Sequence, residues 1–280
     1  MKFSANLGFL FTDHALPEAI RAAAAHGFNA VECHWPYDTP AEEVREALRA
    51  TGLPLIGINT VRGGRDGDFG LSAVPGRQDE ARAAIDQAIG YCVETGCRQV
   101  HVLAGIASGA KAFDIFAANL DYACSCAGQH GIGIVVEPLN TRDVPGYFLH
   151  STVGADDLLD TVGAGNLKIM FDCYHMQIMQ GDLLRSVAEL MPRIGHIQIA
   201  SVPDRSEPDG GEIDYGWLLP RVTEAGYSGW FGAEYRPRGK TEDGLGWINR
   251  LRPTTVRHEA RPDRGDKSLP ESDPPRRSRI

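Results

Sequence analysis

The sequence predicts a single α/β domain built as a closed (β/α)8 TIM barrel, and three observations carry that reading. Eight short β-rich runs recur between residues 3 and 235. Stretches between them show the apolar spacing of helices packed on one face. The length, 280 residues, suits an eight-unit barrel, which commonly takes about 250. Strand-helix alternation implies parallel strands, because a crossover helix must return the chain to the same end of the sheet. An open doubly wound sheet is the competing arrangement. Its dinucleotide-binding version is disfavoured, since no GxGxxG follows the first run.

In chain order the expected strands are "FSANL" (3–7), "AVEC" (30–33), "LIGIN" (55–59), "QVHVLAG" (99–105), "IVVEPLN" (134–140), "LKIMFDC" (167–173), "HIQIA" (196–200) and "WFGAEY" (230–235). Residues 17–27, 42–52 and 79–96 carry helical spacing, and each ends on a glycine suited to cap a helix C-terminus: Gly27, Gly52 and Gly96. From about Arg252 the chain is rich in Pro, Arg, Asp and Ser and almost free of large apolar residues. Such a segment has too little to bury to offset its ordering entropy. The expected organisation is a barrel over 1–250 and a disordered tail over 251–280.

A hydrophobic fraction of 42% and a charged fraction of 23% allow a sizeable core. The net charge of −9 gives no electrostatic reason to approach nucleic acid or an anionic membrane. A small-molecule partner fits better. Six cysteines show no CxxC pair and no zinc-finger spacing, so they read as reduced, buried thiols. No signal-peptide pattern or run of transmembrane length is present, and the expected location is cytoplasmic. A homo-oligomer is allowed but not required by anything in the sequence.

In a barrel of this kind the C-terminal strand ends form the site. Four polar residues stand there: Glu137 ends "IVVE", Asp172 ends "IMFD", Gln198 sits in "HIQIA" and Glu234 ends "WFGAE". Strand alternation turns Gln198 inward with His196, while Ile197 and Ile199 face the helices. One acid at a strand end is usually paired with an arginine or caps a helix. Three acids and an amide at one mouth would be costly unless something neutralised them. A divalent cation does so, and an all-oxygen ligand set suits Mg²⁺ or Mn²⁺; Zn²⁺ and Co²⁺ stay open on ligand chemistry alone. His175, three residues after Asp172, stands where an imidazole could hold a substrate oxygen. Arg205, in the loop after the seventh strand, has a fork shaped for a carboxylate. His101, Glu32, Asn6 and Asn59 are further inward-facing candidates, and Arg77 in "VPGRQDEAR" reads equally as an anion contact or as part of a helix cap. Nucleophile elbows, a P-loop and HExxH are absent.

"FSANL", "SAVPGR", "EPLN", "FDCYHMQ", "GHIQIA", "DRSEPDGGEIDY" and "EYRPRGKTEDGLGW" together resemble the hydroxypyruvate isomerase family, one of the xylose isomerase-like barrels. The resemblance runs from residue 2 to about 250. It implies a reversible aldose-ketose type isomerisation between hydroxypyruvate and 2-hydroxy-3-oxopropanoate through an enediolate stabilised by a divalent metal. It implies that Glu137 and Glu234 form the acid/base pair and that Asp172 and Gln198 complete the metal positions. His175 and Arg205 match substrate contacts of related sugar epimerases, and His101 is taken with them as a substrate-binding candidate. "SAVPGR", "QVHVLAG" and "EYRPRGKTEDGLGW" look like the 2-oxo-tetronate isomerase subgroup, whereas "EPLNTRDVPGYFL" and "YHMQIMQGDL" look like hydroxypyruvate isomerase itself. A keto-sugar 3-epimerase uses nearly the same groups. A related endonuclease would need several zinc-binding histidines and a basic face, and a non-catalytic sugar-acid binder would show no turnover.

Overall fold

Every expected strand is present, and in the computed structural model, which describes residues 1–252, they close into one parallel ring in sequence order. The elements run β1 (Lys2–Asn6), α1 (Leu16–Ala25), β2 (Ala30–Cys33), α2 (Ala41–Thr51), β3 (Leu55–Asn59), α3 (Gln78–Thr95), β4 (Gln99–His101) and α4 (Ala110–Gly128). The second half runs β5 (Gly133–Val136), α5 (Thr152–Val162), β6 (Leu167–Asp172), α6 (Cys173–Met179), α7 (Leu183–Leu190), β7 (Ile194–Ile199), α8 (Tyr215–Glu224), β8 (Trp230–Ala233) and α9 (Gly246–Leu251). β8 pairs with β1, Ser4 standing opposite Gly232, so no sheet edge is left open.

The helices form where the sequence supports them. In α2 the buried residues Ala41, Val44, Ala47 and Leu48 recur every three or four positions, and Gly52 ends the helix at a φ of 72°, a conformation that glycine adopts without steric cost. In α1 the stripe is Ala19, Ile20 and Ala23. These faces pack on the outward side chains of the strands, such as Phe3, Val31, Ile58, Ile169, Ile197 and Phe231, in one buried core. Many inward side chains differ: Ser4, Asn6, Glu32, His196 and Gln198 are polar and buried, beside the apolar Val135 and Met170. All six cysteines are free, five of them buried. No helix among the described residues is long and apolar enough to cross a membrane.

Three strands stop two or more residues before the end of their sequence runs. β4 ends at His101, β5 at Val136 and β8 at Ala233. Beyond those points the chain leaves the parallel ladder for cross-loop pairings: Ala104 bridges Gly70, and Ile106 bridges Tyr147, both antiparallel. Glu137 and Glu234 therefore sit one residue past their strands, on the rim. At the other end, α9 continues through Leu251, which is buried, and the Arg252 guanidinium donates to the Gly27 carbonyl. The rest of the expected tail, residues 253–280, lies outside the described residues.

Candidate active site

The parallel register carries the polar strand-end residues to one mouth. Asp172 and Gln198 are Cα partners on β6 and β7. Asp172 also caps α6, its Oδ1 accepting from the Tyr174 N–H at 2.8 Å. Because α6 begins at the next residue, His175 falls in its first turn and faces back over the mouth: its Nε2 is 3.6 Å from Asp172 Oδ2 and 3.8 Å from Glu137 Oε1. Arg205 adopts a left-handed φ of 50°, held by its N–H on the Ser201 carbonyl at 2.9 Å and by the Arg236 N–H on its own carbonyl at 2.8 Å. His101, Glu137, His175, Arg205 and Glu234 line one small cleft. Asp172 and Gln198 lie beneath it, almost wholly enclosed.

The two glutamates have unlike surroundings. Glu234 Oε1 accepts from Asn6 Nδ2 at 3.0 Å and stands 2.9 Å from His34 Nε2, while Oε2 accepts from Arg205 at 2.5 Å. Burial alone would raise this carboxyl, but Arg205 and His34 outweigh it and hold the pKa down at about 2. Glu137 is equally buried, and its Oε1 has no hydrogen-bond partner. Burial first, then the charges of Glu234 and Asp172, push its carboxyl well above the usual range. Asp172 is raised to about 7 by burial, with Arg205 working against the rise and Glu234 adding to it.

Two of the cleft's three histidines, His101 and His175, are held neutral. Burial brings His101 down to about 3, and neither of its ring nitrogens has a partner, Nδ1 standing 3.6 Å from Glu137 Oε2. Burial and then Arg205 depress His175. The tautomer of His175 follows from Asn140: the Asn140 backbone N–H donates to Nδ1 at 3.0 Å, so Nδ1 is the acceptor and Nε2 carries the proton. Asn140 is itself oriented, its Oδ1 accepting from the N–H groups of Arg142 and Asp143.

Glu137, Asp172 and His175 bring one ligand atom each within 4.8 Å of one another, a spacing that suits a divalent metal. In the tautomer set by Asn140, however, Nε2 presents a proton rather than a lone pair. His175 is thus arranged to donate to an oxygen, and a metal at Nε2 would require the Asn140 contact to break. Gln198 offers a third oxygen. Its Nε2 donates to Glu32 Oε2 at 3.3 Å, which leaves Oε1 buried with no partner. Glu32 also accepts from Ser4 Oγ and lies 3.0 Å from His196 Nε2. An added Cβ at Gly232 would stand 2.2 Å from Glu32 and 2.6 Å from His196, so only glycine leaves room for this pair. Crowded buried carboxylates beside unsatisfied acceptors are what a hard cation relieves, and the residues present fit one.

Several residues escape sequence reasoning. His34 follows directly on "AVEC", so its strand-end position was visible, but its bond to Glu234 was not. Asn140 lies within "EPLN" without any sign of its hold on His175. Arg77 is no anion contact: it is spent on Asp68 at 2.5 Å and Glu80 at 2.6 Å, and thereby ties the 61–70 loop to α3. Asn59 also lines the cleft, and its carbonyl accepts from Tyr37.

A closed parallel barrel whose C-terminal mouth gathers buried carboxylates, an amide and two neutral histidines is an enzyme barrel for small polar substrates. The chain belongs to the xylose isomerase-like TIM barrel family, whose model matches residues 20–251. It is similar to the 2-oxo-tetronate isomerase of Cupriavidus necator, with 42% identity over 252 residues, 88% of this chain and 97% of that protein. It is 40% identical over 260 residues to a Mus musculus protein named "Putative hydroxypyruvate isomerase", covering 89% of this chain and 94% of that one. The crystal structure of a Brucella melitensis protein called AP endonuclease, family 2, superposes with a TM-score of 0.85 at 40% identity, covering 89% of this chain and 98% of that one. Both sequence relatives carry isomerase names, and the protein is an enzyme.

Proposed function

We propose that the protein is a sugar-acid isomerase that moves a carbonyl between neighbouring carbons of a short 2-oxo acid, interconverting hydroxypyruvate and 2-hydroxy-3-oxopropanoate. The observation that carries this reading is the pair of buried glutamates, Glu137 and Glu234, at one mouth above Asp172 and Gln198. Those four residues would hold a divalent cation, Mg²⁺ or Mn²⁺. Bound there, it would polarise the substrate carbonyl and stabilise negative charge developing on oxygen.

The protein's own groups account for the proton movements. One glutamate takes the proton from C3 of hydroxypyruvate, giving an enediolate, and a proton is returned at C2 while hydrogen passes from the C3 oxygen to the C2 oxygen. Atoms and charge balance without a redox cofactor. His175, with its proton fixed on Nε2, donates to a substrate oxygen, and neutral His101 stands free beside Glu137 for a second polar contact. Arg205 holds Glu234 ionised and lies over the same cleft. A phosphodiesterase reading, prompted by the name of the Brucella relative, finds little support in a chain of net charge −9.

The resemblance to 2-oxo-tetronate isomerases keeps a four-carbon acid as the second substrate reading. Comparing kcat/KM for hydroxypyruvate, 2-oxo-tetronate and a neutral ketose such as fructose or tagatose measures differential transition-state binding directly. The acids should win. A ketose turned over better than either acid would overturn the reading and favour a keto-sugar epimerase.

A further inference from the structure

Arg62 lies in the loop between β3 and α3, with its guanidinium between two aromatic rings. Its Cζ is 4.4 Å from the centroid of Trp35 and 4.3 Å from that of Phe69. Stacking covers the flat faces of the cation and leaves its N–H edges for polar contacts. Arg62 lines the same cleft as Glu137, His175 and Glu234. Its side chain has no hydrogen bond or ion pair among the described residues, and burial is the sole influence on its basicity. The cleft's other guanidinium, Arg205, is already engaged by Glu234 and Asp172.

The loop that presents Arg62 is held on both sides. The Gly70 N–H donates to the Arg62 carbonyl at 2.7 Å, and Gly70 itself pairs with Ala104 beyond β4. Asp68 accepts from the Arg65 N–H at 2.9 Å and from Arg77. A rigid, unpaired guanidinium at the rim of an acidic cleft has a clear electrostatic consequence. An anionic substrate entering above Glu137, Asp172 and Glu234 finds no free cation at the floor, where Arg205 is already paired, so it gains by placing its own charge at the rim guanidinium.

Resting on the isomerase reading above, we propose that Arg62 is the specificity-determining residue of this enzyme: its free N–H edge receives the carboxylate of the oxo-acid substrate while the carbonyl end lies over the two glutamates. Trp35 and Phe69 hold the fork in place at the rim. Lysine at this position would keep the charge but lose both the stacking and the two-point geometry.

The test uses the Mn²⁺-loaded enzyme and its Arg62→Gln and Arg62→Lys variants. Steady-state kinetics with hydroxypyruvate are measured beside calorimetric binding of D-glycerate, a carboxylate of the same length that cannot isomerise. In Arg62→Gln, KM and the glycerate Kd should both rise by about tenfold or more, with kcat changed by less than about threefold. Arg62→Lys should fall between. Mn²⁺ affinity should not move in either variant, and a parallel loss of Mn²⁺ binding would overturn the assignment by showing damage to the loop. Unchanged glycerate binding in Arg62→Gln would remove the inference while leaving the isomerase reading intact. If wild type turns over no 2-oxo acid but glycerate binding still weakens in Arg62→Gln, the anion site stands and the isomerase reading fails.

Discussion

The mouth of the barrel is built unevenly. On the side of β8, β1 and β2, Glu234 is surrounded by Asn6, His34 and Arg205 and is held firmly ionised. On the side of β4 and β5, Glu137 faces His101 and His175, both neutral and both beyond hydrogen-bond reach, with the Asp172 carboxyl close by. One carboxylate is satisfied by the protein. The other has a buried oxygen, Oε1, with no hydrogen-bond partner among the described residues.

The largest effect expected from breaking this contrast is on turnover. Glu137→Gln and Glu234→Gln should each lower kcat by roughly 10² to 10⁴ while moving KM much less, because each removes a proton-transfer group and keeps its size. Solvent deuterium should enter the product carbon with wild type. Near-native kcat in either variant at saturating Mn²⁺, or product formed without label, would end the two-glutamate mechanism.

Stability should separate the same two variants by sign. In metal-free protein, Glu234→Gln leaves Arg205 buried without its main counter-charge and should cost about 3 kcal/mol. Glu137→Gln removes an unpartnered buried carboxylate and should stabilise by about 1 kcal/mol. Urea denaturation of both variants gives the comparison directly, and equal shifts would mean that the asymmetry has no energetic content.

Asp172→Asn tests coordination rather than proton transfer. It should weaken Mn²⁺ binding by about ten- to a hundredfold, so that excess metal restores part of the activity. Titration of the metal against activity distinguishes this from a loss in kcat that no concentration repairs. Gly232→Ala probes the layer beneath: a methyl placed against Glu32 and His196 should destabilise by about 1 to 3 kcal/mol. An unchanged melting curve there would show that the interior gives way more easily than its close contacts imply.

The sequence by itself determined the architecture and the roster of polar residues at the strand ends. Both rest on local patterns: apolar runs of strand length, helical spacing between them, and the placement of Glu137, Asp172, Gln198 and Glu234 at or near the ends of those runs. The inward turn of Gln198 followed from alternation, and Gly52 from the needs of a helix end. What the strand runs could not reveal was where pairing stops, because a ladder ends when its neighbours diverge and not when apolar residues run out.

Only the tertiary structure decided which polar group answers which. Asn6 and Glu234 meet across a sequence separation of 228 residues, and they do so only because β8 closes on β1. Asn140 sets the proton of His175 across 35 residues. Arg77 and Arg62 look alike in the sequence as arginines flanking one loop, yet one is paired with two carboxylates and the other is stacked between two rings with its edge free. Arg77 meets neighbours in the chain, but the two long-range pairs share one physical reason. Propensity and periodicity act over one or two turns of chain, whereas the partner of a charge or a ring nitrogen depends on ring closure and register, which bring together residues that no local pattern connects.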